Sequence, residues 1–174
     1  MRNFKTIAIC LATLCLSGAF TACSTTKNAA GKMAPAKKGY AETGKYRNYF
    51  KELGIPQADI DKKIADVYKE IFENPERGAY FDVEVDGKKM GYISDVKNND
   101  VRTEGMSYAM MIAVQMDKPE MFNRLWRWSN HFMRHNEEGP SHGLFAWSCR
   151  TDGRRTSQGS ASDGELYYVT DLLL

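Results

Sequence analysis

The sequence predicts an all-α chain built from helical hairpins stacked side by side, and three features carry that prediction. Apolar residues recur at helical spacing through much of residues 40–174, and Pro, Thr or Ser stands ahead of most of these stretches. From residue 103 onward, a short turn and then a longer polar loop separate successive stretches, the connection pattern of inner and outer helices. About 135 residues are available for folding, enough for one core of ordinary size.

The chain opens with an export signal. Arg2 and Lys5 supply a positive start, and Thr6 to Phe20 form an apolar run too short to span a bilayer permanently. Phe20-Thr21-Ala22-Cys23 is similar to a bacterial lipobox, with Phe where Leu is usual. The similarity implies that residues 1–22 are removed and that Cys23 becomes the lipidated first residue, holding the protein at a membrane of the cell envelope. Residues 23–39 are rich in Ala, Lys, Ser, Thr and Gly and read as a flexible tether reaching roughly 20 Å.

Composition narrows the function classes. The signal carries Cys10 and Cys15, and lipidation uses Cys23, so Cys149 is left unpaired and there is no disulfide framework. Loss of Arg2 and Lys5 lowers 24 basic residues to 22, equal to the 22 acidic ones. A formally neutral chain with scattered basic residues gives no stripe for nucleic acid.

Within the domain, Tyr40 to Leu53 reads as a first helix stopped by Gly54, and Pro56 opens a second one. The second helix carries the stripe Ile60, Ile64, Val67, Tyr68 and Ile71 and ends at Asn74-Pro75. Tyr80 to Val85, Asp86-Gly87, and Lys88 to Val96 alternate and turn as a β-hairpin, expected as an excursion beside the helices. Thr103 is placed as the cap of an inner helix through Met106, Met110, Ile112, Ala113 and Val114, apolar nearly all round.

Pro119 begins an amphipathic outer helix with Phe122, Leu125, Trp126, Phe132 and Met133 on one face. Gly143 to Cys149 reads as extended, Thr151-Asp152-Gly153 as a turn, and Thr156 to Ala161 as a polar loop. Ser162-Asp163-Gly164-Glu165 reads as a capping box opening a second inner helix. Successive inner helices run parallel, so their N-termini gather at one end and bring Glu104 and Asp163, 59 positions apart, to the same face.

Two carboxylates on matching helix starts suggest acid/base chemistry. A helix N-terminus favours a charged carboxylate, the wrong state for a proton donor, so burial and neighbouring negative charge must offset it. Trp147 lies in an extended segment rather than on a helical stripe, where its flat ring suits either core packing or an apolar ligand face such as that of a sugar. Trp126 and Trp128 sit on the outer helix and are read as structural. His131, His135 and His142 lack the clustered Cys or acid that would complete a metal site, and no nucleotide motif is present, so neither metal nor cofactor is expected.

Asp100 to Val114, Phe122 to Trp126, Phe145-Ala146-Trp147 and Ala161 to Gly164 together resemble glycoside hydrolase family 8, in the flavour that trims xylo-oligosaccharides from the reducing end. The resemblance covers residues 40–174 and implies an (α/α)6 barrel that cleaves β-1,4 links with inversion. It implies that Glu104 is the general acid, that Asp163 holds the sugar at the cleavage point, and that Trp147 stacks on a sugar ring. The family's general base is an Asp from the later half of the barrel, which would follow Leu172-Leu173-Leu174. The sequence is therefore read as an N-terminal partial barrel lacking its base. The competing class is a surface protein that binds carbohydrate without hydrolysis, and a third is a helical interaction module of the envelope.

Overall fold

The computed structural model describes residues 47–174. The signal, Cys23, the tether and the start of the first expected helix lie outside the described residues. Asn48 is extended and its side chain accepts from the Lys51 N–H at 3.1 Å, so the helix begins here, at Tyr49. This first helix, α1 (Tyr49–Glu52), is thus a single turn within the described residues, and Gly54 leaves it at φ 85.

Helix α2 (Gln57–Tyr68) starts behind Pro56 and continues as one π turn, Lys69–Glu73, before Asn74 turns extended. Of its expected stripe only Ile60 is buried. Ile64 and Val67 stay exposed and, with Tyr68, Ile71 and Met116, line an apolar groove of about 370 Å³.

The hairpin is β1 (Tyr80–Val85) and β2 (Lys88–Ile93), joined through Asp86 and Gly87, both at positive φ as a two-residue turn requires. It is not an excursion. Met90 is 2% exposed, and two residues on, the Tyr92 ring lies 4.6 Å from Trp128, so one face of the hairpin belongs to the core. Arg124 fastens it from outside by donating to Asp82 at 2.8 Å.

A second pairing had no counterpart in the expected elements. Strand β3 (Asp100–Arg102) runs antiparallel to β4 (Ser148–Arg150), with Val101 opposite Cys149 and Arg102 opposite Ser148. It leads directly into α3 (Thr103–Gln115), which buries Thr103, Met106, Ser107, Ala109, Met110 and Ala113. The cap assignment needs correcting: Arg102 holds the N-cap position and Thr103 is the first helical residue, fully buried and used for packing.

Helix α4 (Pro119–Trp128) has Pro at its first position and runs on into a π turn, Ser129–Met133. Met121, Leu125 and Trp128 form its buried face. Trp128, left out of the expected stripe, is 1% exposed; it stands seven residues after Met121, and the π turn then shifts the phase so that Ser129 and Met133 also point inward.

Helix α5 (Ser162–Leu173) turns Gly164, Tyr168 and Asp171 toward the protein and leaves Leu166, Val169 and Leu173 exposed. Tyr168 packs on Phe145 at 4.8 Å and shares a 2.9 Å hydrogen bond with the Ser129 hydroxyl. The expected capping box does not form. Ala161 is the N-cap, and the Glu165 carboxylate instead accepts from the Phe145 N–H at 2.7 Å and the Ser160 hydroxyl at 2.8 Å.

Helices α3 and α5 pack side by side and run the same way. Gly164 abuts Thr103, and further along both helices Tyr108 meets Tyr167 with ring centroids 4.8 Å apart. A Cβ added at Gly164 would stand 2.5 Å from Thr103 Oγ1 and 2.6 Å from its Cβ, so only glycine permits this approach. Gly164→Ala is expected to lower stability by ~1–3 kcal/mol, the usual cost of overpacking, and a urea titration with an unshifted midpoint would contradict this contact.

Asp171 sits in the last turn of α5, 2% exposed, with neither carboxylate oxygen finding a partner among the described residues. Burial pushes its carboxyl up to about 7 from the ordinary 3.8. The folded chain therefore keeps this proton where the unfolded chain releases it, so stability falls as pH rises from about 4 to about 7. Asp171→Ala is expected to raise the melting temperature more at pH 8 than at pH 5; equal shifts at both would show that the carboxyl carries no such penalty.

Candidate active site

Thr103 is the junction of the site. Its N–H donates to the Trp147 carbonyl at 3.0 Å, its hydroxyl donates to Glu104 Oε2 at 3.1 Å, and its side chain meets Gly164. Glu104 follows it in the first turn of α3 and Asp163 precedes Gly164 in the first turn of α5. The two acids therefore occupy neighbouring helix starts at one end of the molecule. Glu104 is half-buried and Asp163 exposed.

The first turn of α3 is tightly placed. A Cβ on Gly105 would come within 3.2 Å of Ile93 Cγ2, so the glycine after Glu104 lets the helix start lie against the end of β2. Ser107, one turn on, donates its hydroxyl to the Glu104 carbonyl at 3.3 Å. Two helix N-termini side by side present a positive dipole end, an environment suited to carboxylates and to the oxygens of a polar ligand.

Trp147 is half-buried beside this pair. Its backbone is held on both sides, with the carbonyl taken by Thr103 and its own N–H donating to Gly159 at 2.9 Å. The Arg102 guanidinium lies over its ring at 5.6 Å from the centroid. Arg102 also donates to Asp100 at 3.0 and 3.3 Å, and its guanidinium holds its proton more tightly than usual, first through Asp100 and also through Asp95 and Glu104.

Several contributors escaped the sequence reading. Arg102 had been given no role and Thr103 that of a cap, and only the β3–β4 pairing, which joins segments 46 residues apart, shows that they hold Trp147. Glu165 was assigned to capping but ties the Phe145–Trp147 segment to the start of α5. The alternating Asp100-Val101-Arg102 and Ser148-Cys149-Arg150 triplets were the available signal, too short to select a partner.

The remaining titratable candidates stand apart from the site. His135 is buried with Nδ1 3.2 Å from Arg155, while His131 and His142 are exposed. Cys149 is buried and free, and burial pushes its thiol up to about 12, which keeps it unreactive. Among the described residues no group of His, Cys, Asp and Glu is placed to hold a metal ion, and no helix is long and apolar enough to cross a membrane.

Residues 85–174 match glycosyl hydrolases family 8. The chain is 45% identical over 141 residues to the reducing end xylose-releasing exo-oligoxylanase of Halalkalibacterium halodurans, across 80% of this chain and 35% of that enzyme. It is 46% identical over 125 residues to the enzyme of the same name from Bifidobacterium adolescentis, across 72% of this chain and 32% of that one. A solved reducing-end-xylose releasing exo-oligoxylanase mutant complexed with xylobiose matches with a TM-score of 0.68 at 44% identity, over 78% of this chain and 35% of that one. The chain thus spans about a third of the length of these relatives, and its inner and outer helices form part of an (α/α)6 barrel. With the matching segment covering more than half of the sequence, the chain belongs to glycosyl hydrolases family 8.

Proposed function

We propose that the full-length protein is an inverting glycosidase that cleaves β-1,4-linked xylo-oligosaccharides or closely related chains. The observation that supports this most is the meeting of Glu104, Trp147 and the start of α5 around Thr103. Glu104 is the general acid. It gives its proton to the glycosidic oxygen as the bond to the anomeric carbon breaks, and the bonding pair leaves with that oxygen.

The second carboxylate acts as general base from a segment other than residues 47–174, about 6.5–9.5 Å from the acid as inversion requires. It takes a proton from the water that attacks the anomeric carbon on the opposite face. Glu104 ends the cycle ionised and regains its proton from solvent. Asp163 accepts hydrogen bonds from the hydroxyls of the sugar at the cleavage point, and Trp147 offers its ring to a sugar face. The lipidated Cys23 holds the enzyme at a membrane of the cell envelope, with residues 24–39 as its tether.

Glu104→Gln in the full-length protein is expected to lower turnover of xylo-oligosaccharides by at least ~10² while substrate binding persists. Unchanged hydrolysis would remove Glu104 from the acid role. Proton NMR of the newly formed reducing end is expected to show the α anomer first, and the β anomer would contradict inversion.

A further inference from the structure

Arg102 stands one residue from a buried threonine and two from the proposed acid, yet its charge is already spent. Its guanidinium forks onto Asp100 through Nε at 3.0 Å and Nη2 at 3.3 Å, and Nη1 lies 3.9 Å from Asp95 Oδ2. Both acceptors are themselves fixed. Asp95 Oδ1 takes the Asn98 N–H at 2.7 Å and the Lys97 N–H at 3.0 Å, and Asp100 is paired across the β3–β4 ladder with Arg150. A guanidinium held by two carboxylates gains little by turning to a neutral sugar.

What remains is the flat face of the group, and that face meets Trp147. The guanidinium carbon is 5.6 Å from the ring centroid, within the range of cation–π attraction, and the Arg102 side chain is only 30% exposed. The backbone repeats the link, because Arg102 pairs with Ser148, the residue after Trp147. With Arg102 over one face of the half-buried indole, a sugar would stack on the other. We propose that Arg102 is a positioning residue for substrate binding, its fork on Asp100 fixing the guanidinium that orients the Trp147 ring. This rests on the glycosidase reading and adds to it the residue that sets the sugar platform.

The test is steady-state kinetics of the full-length protein on xylotriose. Arg102→Met is expected to raise KM about tenfold with kcat within about threefold, since the platform loses its orientation while Glu104 keeps its helix. In the double variant Arg102→Met with Trp147→Ala, KM is expected to match Trp147→Ala alone, because Arg102 acts through the ring. Asp100→Asn, which weakens the fork, is expected to shift KM in the same direction and decides the matter where Arg102→Met does not fold. An unchanged KM, additive effects in the double variant, or a loss confined to kcat would each overturn the positioning role while leaving the glycosidase reading intact. A wild-type protein inactive on xylo-oligosaccharides would overturn that reading and this role together.

Discussion

The approach of Gly164 to Thr103 sets the distance between the two inner helices, and the polar end of the molecule is built on it. Thr103 has no exposed surface, so its hydroxyl must find a partner, and it finds the Glu104 carboxylate. Its N–H is one of the four that a helix start leaves without an internal acceptor, and Trp147 supplies the carbonyl. One buried residue thus satisfies its own polar groups with the acid and the aromatic of the site, while its carbon atoms meet the helix that carries Asp163. Moving α3 would draw Thr103 away from Trp147 and from Gly164 together, while its bond to Glu104 travels with the helix.

Below this end the protein is held by apolar packing. Met106, Met110, Leu125, Trp128 and Met133 lie together with Met90 of the hairpin, and Tyr168 closes the cluster from α5. The hairpin's place in this core explains the latch between Asp82 and Arg124, which fastens the exposed strand to the outer helix. The polar bonds at the other end do different work. Glu165 and Thr103 hold the Phe145–Trp147 segment against both helix starts, so the segment between the outer helix and α5 is fixed at the residue proposed to stack on the sugar.

The sequence made the helices and their parallel course legible, because period and short connections are local signals. Glu104 and Asp163 could be placed on one face from that alone, and the family likeness supplied their proposed roles. The two cap errors share a cause. Thr103 and Ser162 were read as caps because Thr and Ser favour that position, but Thr103 is consumed by a long-range contact and Glu165 by a loop twenty residues earlier. Trp128 was left out of the stripe although it stands a regular seven residues after Met121, and the π turn that follows changes the phase only from Ser129 onward. The β3–β4 ladder, three residues a side, left no pattern strong enough to show that Arg102 and Trp147 meet.

On the proposed function, one saccharide is held at once by the helix start that carries Glu104 and the helix start that carries Asp163. The decisive measurement is a crystal structure of the full-length protein with xylobiose bound. Sugar oxygens are expected within hydrogen-bond distance of both carboxylates, with a pyranose ring lying on Trp147. Xylobiose seated elsewhere, for instance in the apolar groove between α2 and the far end of α3, with Glu104 and Asp163 untouched, would contradict it.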